Sequence, residues 1–247
     1  MSAELSVVVL LAFIAVAVQS SIGFGSGLIF VPAATLVVGP EPAVAMMLVG
    51  IPAVAASLYL VDRQRTPILD AAPAAGLSLL SVPVGVWLLT QADEDLLRLL
   101  VGFAVLGSVL VNLASRDHEQ VRSLDLPRMA LAGLASGLMR GSTSMGGPAL
   151  VLYFHWLGGG AARFRSRMFS YGALSGVPSV AIAAAAGVFN ADTMPVVLWG
   201  LAGALGGILV GVRLRPWITD PRLHAMSMAL LAATSLLAIA AAGSALL

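Results

Sequence analysis

The stretch Gln19-Ser20-Ser21-Ile22-Gly23-Phe24-Gly25-Ser26-Gly27 lies between two apolar runs and suits the continuation of neither. Its glycines admit backbone conformations that other residues resist, and its hydroxyls and amide are polar where the flanks are not. The flanking runs, Leu5–Gln19 and Gly27–Val38, both fall short of the ~20 residues a helix needs to cross a ~30 Å hydrocarbon core. A second such stretch, Arg140-Gly141-Ser142-Thr143-Ser144-Met145-Gly146-Gly147-Pro148, follows at an offset of 121 residues. It too lies between short runs, Met129–Arg140 and Pro148–Leu157. How these two interruptions are read decides the fold.

The surroundings are those of a membrane protein. Hydrophobic residues make up 59% of the 247-residue chain, and its 26 glycines bring the apolar share to roughly 70%, against about 45–50% in soluble domains. Charged residues contribute only 10%, too few for a polar shell, so a soluble enzyme is excluded. A net charge of +1 with no basic patch argues against a nucleic-acid partner. With no cysteine, disulfides and thiolate chemistry are impossible; with no lysine, so is a lysine Schiff base. His118, His155 and His224 form no metal-binding spacing, and neither metal nor cofactor is expected. The start, Met1-Ser2-Ala3-Glu4, lacks the positive flank of a cleavable signal peptide, so the first run is expected to belong to the mature protein.

Beyond the four short runs, the chain divides into Ala43–Val61, Ile68–Leu89, Leu96–Ala114, Met168–Val188, Thr193–Val212 and Leu223–Leu246. The long runs lack the alternation of barrel strands. An all-α polytopic membrane protein with about 8–10 transmembrane segments follows. The arginines provide an independent check. Eleven of the thirteen fall in loops after odd-numbered runs: Arg63 and Arg65; Arg116, Arg122 and Arg128; Arg163, Arg165 and Arg167; Arg213, Arg215 and Arg222. Even-numbered loops are neutral or acidic, with Glu41, Asp93-Glu94-Asp95 and Asp192. The positive-inside rule then places the arginine loops in the cytoplasm and both termini outside.

The order of short, short, long, long, long repeats. Gly25 falls on Gly146, Gly39 on Gly160 and Met47 on Met168 at an offset of 121; Gly85-Val86 falls on Gly211-Val212 and Leu97 on Leu223 at 126. Membrane chains rich in Ala, Gly and Leu resemble themselves by chance, but here the interruptions correspond and the charge pattern inverts with them. Five crossings is an odd number, so the halves insert in opposite senses, a plan common among secondary transporters. The expected division is an N-terminal repeat over 1–115, a cytoplasmic linker over 116–127 and a C-terminal repeat over 128–247.

Paired Gly-interrupted segments point to a transporter's binding site. A helix restarting inside the membrane exposes N–H groups without partners, which lipid does not tolerate unless they line a cavity or meet a ligand. Those donors and the positive dipole end favour an anion. The candidate substrate-binding residues are Gln19, Ser20, Ser21, Gly25, Ser26 and Gly27 in the first stretch, and Arg140, Ser142, Thr143, Ser144, Gly146 and Gly147 in the second. Pro148 suits the first turn of a restarting helix. Arg140 stands out. A run from Met129 rises only about 18 Å by Arg140, well within the hydrocarbon, where a charge is costly and usually functional. A guanidinium also fits a forked oxyanion. The competing reading continues the helix to Ser144 and lets Arg140 snorkel to the outer interface. Gln19 is its uncharged counterpart in the first half.

Other features have plainer explanations. Pro52 and Pro178 interrupt long runs and are candidate hinges or gates, though kinks are common in membrane helices and packing against neighbours accounts for them better. Tyr59, Tyr153, Tyr171, Trp87, Trp156, Trp199 and Trp217 lie mostly near run ends, as an interfacial aromatic belt requires. His155 reads as interfacial rather than as a proton relay. The pairs Gly133/Gly137, Gly172/Gly176, Gly203/Gly207 and Gly207/Gly211 indicate close helix packing and leave a homodimer open.

With both glycine stretches and the repeat in view, the chain resembles the TauE/SafE family of sulfite and organosulfonate exporters, also called TSUP, over nearly its whole length. The likeness rests on Gly23 to Gly27 followed by Pro32, on Gly146-Gly147-Pro148, and on the later Gly85-Val86 and Gly211-Val212. Here Ser26 interrupts a stretch often richer in glycine in that family. The resemblance implies transport of small sulfur-containing or carboxylate anions across a bacterial inner membrane.

Export needs no coupled ion: expelling one negative charge against an inside-negative potential releases about 2.3 kcal/mol per 100 mV. No carboxylate falls mid-span, which weakens a proton-relay scheme. A serine hydrolase using Ser26, Ser142 or Ser144 would need a base such as His155 within reach, and would leave the second glycine stretch without a purpose. A structural or assembly subunit would show no ligand-dependent stabilisation.

Overall fold

A computed structural model of the chain describes residues 3–61, 66–93, 96–97, 103, 125–219, 222–223, 225–226 and 229. Among the described residues there is no strand. Eight α-helices are bounded among these residues, in order: α1 (Ala3–Ile22), α2 (Ser26–Val38), α3 (Pro40–Val61), α4 (Ala72–Gln91), α5 (Leu126–Thr143), α6 (Gly147–Trp156), α7 (Gly160–Ala185) and α8 (Thr193–Leu214). Most of the runs Leu96–Ala114 and Leu223–Leu246, most of the linker, and Arg63, Arg65, Arg116, Arg122, His118 and His224 lie outside the described residues.

Among the described residues, five helices (α1, α3, α4, α7 and α8) are long and apolar enough to cross a membrane. This corrects the segmentation. The first run is not short: α1 extends through the polar residues Gln19, Ser20 and Ser21 to Ile22 and reaches 20 residues. Likewise α5 continues past Arg140 to Thr143, making 18 residues. Hydroxyl residues inside an apolar setting satisfy themselves by bonding back to the preceding turn, so polarity alone did not end either helix. The short elements are α2, with 13 residues, and α6, with 10. A second correction concerns Arg163, Arg165 and Arg167, which occupy the first turns of α7 rather than a loop.

The packing is arranged around α3, the most buried of the five long helices. It packs on α2, α7 and α8, while α1 lies along α8 and α4 along α5. Small residues allow these last two crossings. A β-carbon on Gly207 would stand 2.5 Å from the Phe13 carbonyl oxygen of α1, and one on Gly137 would stand 2.0 Å from the Ser78 carbonyl oxygen of α4. Gly172 and Gly176 face Ala55 and Pro52 of α3 in the same way. The small-residue pairs therefore serve contacts within the chain. Pro52 and Pro178 lie inside unbroken helices, α3 and α7. Large apolar side chains remain exposed on the periphery, including Leu36, Leu80, Leu131, Leu198 and Leu205, as a lipid-facing surface requires.

Candidate anion site

Both interruptions are real breaks in the helices. Between α1 and α2 the chain turns through Gly23 and Gly25, each at φ 106°, a conformation that a side chain strongly disfavours. Between α5 and α6 the turn is made at Ser144, in the left-handed region at φ 56° and the only non-glycine residue with positive φ among those described. Its N–H donates to the Arg140 carbonyl and so closes the end of α5.

The two breaks meet. A β-carbon on Gly27 would stand 2.6 Å from the Ser144 carbonyl oxygen, so only glycine permits this approach. Where they meet lies a cavity of about 40 Å³. From the first half it is lined by Gln19 and residues 23 to 28, and from the second by Arg140 and residues 144 to 148. Ile51 of α3 and Met168, Tyr171 and Gly172 of α7 complete the wall. The first turns of α2 and α6 open onto it. Their N-cap positions are Gly25 and Gly146, and neither offers a side-chain acceptor to the free N–H groups. Glycine at 146 is set by packing: its φ is an ordinary −64°, but a β-carbon would stand 2.5 Å from the Ser136 carbonyl oxygen.

Arg140 lies in the last turn of α5 and is only 5% exposed, which excludes the snorkelling alternative in this conformation. Its Nε is buried without an acceptor. Among the described residues no carboxylate pairs with it; its guanidinium carbon lies 5.0 Å from the centre of the Tyr171 ring. A buried cation without a counter-charge is destabilising by several kcal/mol, so the arrangement favours an anion entering the cavity.

Of the twelve candidates, Gln19, Gly25, Ser26, Gly27, Arg140, Ser144, Gly146 and Gly147 line this cavity. The other four do not. Ser142 and Thr143 donate back to the Leu138 and Met139 carbonyls, at 2.9 and 2.8 Å. Ser21 donates to the Ala17 carbonyl at 2.7 Å, and Ser20 packs against Gly211 of α8. Ser26 donates to Gln19 Oε1 and Ser144 to the Val44 carbonyl, so no candidate nucleophile directs its proton at His155, which stacks on Phe164 at 4.2 Å.

The sequence reading missed Tyr171. Assigned there to the interfacial belt, it is 1% exposed and lies midway along α7. Its hydroxyl lies within hydrogen-bond distance of two others, 2.8 Å from Ser78 Oγ of α4 and 2.7 Å from Ser136 Oγ of α5. The overlooked signal is its distance from either end of α7. Trp87 and Trp217, by contrast, are 60% and 69% exposed, as belt residues should be.

Arginines also stand just outside the cavity at the first break. Arg165 lies against Gly23, and Arg215 Nε donates to the Ser20 carbonyl at 2.7 Å, so the C-terminal end of α1 meets positive charge.

The sequence model of the sulfite exporter TauE/SafE family matches residues 8–238, and the chain belongs to that family. No curated protein and no solved structure matches it. The family's members are transporters rather than enzymes, so the hydrolase alternative is set aside and the chain is a multi-pass membrane exporter of the sulfur-anion class.

Proposed function

We propose that the chain exports a small sulfur-containing anion (sulfite, sulfoacetate or a related sulfonate) across the bacterial inner membrane, holding it between the two helix breaks. The observation that carries this reading is Arg140: a buried guanidinium with an unsatisfied Nε and, among the described residues, no carboxylate partner, facing a cavity onto which two helix N-termini open. Such a site is electrostatically incomplete until an anion enters it. A cavity of about 40 Å³ suits a small anion rather than a bulky one.

Alternating access of two inverted repeats would expose the site to each side in turn. The packing supports the repeat. If α1 corresponds to α5 and α4 to α8, then the α1–α8 contact and the α4–α5 contact are the same contact in the two halves. At residue level, Gly23 against Arg165 is matched by Ser144 bonded to Val44, each residue displaced by 121. The inside-negative membrane potential drives an anion outward, with the arginine-rich ends of the helices in the cytoplasm and both termini outside.

Two experiments test this. In proteoliposomes, Arg140→Ala and Arg140→Gln should raise the KM for sulfite about tenfold or more, the worth of lost charge-assisted hydrogen bonds. An unchanged KM and rate would remove Arg140 from the site and the reading with it; acetate serves as the carboxylate control. For topology, the natural absence of cysteine provides a clean background. Asp192→Cys, on an exposed turn, should react with an impermeant thiol reagent from outside, and the exposed Thr219→Cys only after permeabilisation. The opposite pattern would reverse the assigned orientation.

A further inference from the structure

A cation buried in a protein ordinarily stands beside a carboxylate, which neutralises it and occupies its donors. Arg140 has instead the face of a phenol ring, with its guanidinium carbon 5.0 Å from the centre of Tyr171. An aromatic face attracts a cation through its quadrupole but accepts few of its N–H groups and leaves the charge intact. The ring is itself fixed. Its hydroxyl reaches Ser78 on α4 and Ser136 on α5, and the Ser136 hydroxyl donates in turn to the Gly146 carbonyl of the second break. Ser136 and Arg140, four residues apart, lie on one face of α5. The ring that supports the guanidinium is thus tied through one serine to the backbone of the break that opens on the same cavity.

We propose that Tyr171 is the positioning residue of the anion site: it stands where a carboxylate would, holding the Arg140 guanidinium in place while leaving its charge and donors free for the transported anion. This rests on the reading of the cavity as that site. The chain Ser78–Tyr171–Ser136–Gly146 joins α4, α5 and α7 to the break, so the orientation of the arginine follows the relative placement of three helices. Tightening or loosening any one of them alters how the cation is presented.

The test compares Tyr171→Leu, which removes the ring, with Tyr171→Phe, which removes only the hydroxyl tether, beside Arg140→Gln and the double variant Tyr171→Leu/Arg140→Gln. Sulfite flux in proteoliposomes gives KM and Vmax separately, and a thermal midpoint without ligand reports folding. Tyr171→Leu should raise KM about tenfold, in line with the loss of a desolvated cation–π contact, and Tyr171→Phe two- to threefold. The double variant should bind no more weakly than Arg140→Gln alone, because the ring acts through the arginine. A ring lost without change in KM, or two losses that multiply in the double variant, would overturn the proposal. Should Tyr171→Leu fail to fold, the Tyr171→Phe series with and without Arg140→Gln decides by the same coupling. If Arg140→Gln leaves KM unchanged, the anion-site reading fails first; if it raises KM while neither Tyr171 variant does, only the role of Tyr171 falls.

Discussion

The two breaks line the same cavity, yet they differ in both backbone and chemistry. The first makes its turn with two glycines, Gly23 and Gly25, in the left-handed half of conformational space; the second uses Ser144 alone, with Gly146 in ordinary helical geometry. Each carries one bulky apolar residue into the cavity wall, Phe24 in the first and Met145 in the second. At the position before the turn, the first break has Gln19, whose Oε1 accepts from Ser26, and the second has Arg140, whose Nε is buried without an acceptor among the described residues. The other positive charges near the first break stand outside the cavity, Arg165 against Gly23 and Arg215 on a carbonyl at the end of α1. The second break therefore brings a cation to the cavity wall and the first an uncharged amide, so the lining is lopsided.

The strongest way to probe this difference is to move the charge across it. Arg140→Gln should weaken sulfite binding about tenfold to a hundredfold, and adding Gln19→Arg should recover at least a tenth of the lost affinity. Sulfite-induced thermal stabilisation measures both, and a double variant as weak as Arg140→Gln would show that the breaks are not interchangeable. A smaller effect is expected where the breaks touch. Gly27→Ala places a methyl group 2.6 Å from the Ser144 carbonyl oxygen, and overpacking of this kind costs about 1–3 kcal/mol. The thermal midpoint and the affinity should fall together; an unmoved midpoint would mean the breaks do not meet.

The backbones themselves come next. Gly23→Ala takes a strained conformation, costing about 1–2 kcal/mol, and crowds Arg165 at 3.2 Å. Ser144→Gly should be nearly neutral, since relief of the left-handed serine offsets a lost hydrogen bond to Val44 of about 1 kcal/mol. Denaturation of the two variants side by side checks the contrast, and equal losses would erase it. The smallest change is expected from Arg215→Gln, about 1 kcal/mol of stability or less with no change in sulfite affinity, because that guanidinium serves a helix end rather than the cavity.

Much of the candidate site was legible because its signal is local. Glycine-rich interruptions in apolar sequence have few other causes in a membrane chain, and a charge within a short apolar run is conspicuous. The helix ends were less legible. Ser20, Ser21, Ser142 and Thr143 look like loop residues, yet each belongs to a helix, and three of the four bond back to their own helix. That error had a consequence on α7. Starting the run at Met168, after the arginines, left Tyr171 near a run end, where an aromatic belongs to the interface. The helix starts at Gly160, which puts the same residue in its middle. Ser78 and Ser136 carried no local mark, since an isolated serine in a membrane helix usually bonds to its own backbone.

Composition and hydropathy by themselves determined that this is a helical membrane protein, and the spacing of its glycines marked where two helices break, because lipid forbids unpaired backbone and leaves few ways to interrupt a span. Only the tertiary structure decided that the breaks touch, that Arg140 turns inward to a ring rather than outward to water, and that Tyr171 and its serines surround it. Those facts depend on which helices lie side by side, and one-dimensional periodicity records a helix's faces without naming the neighbour that each face meets.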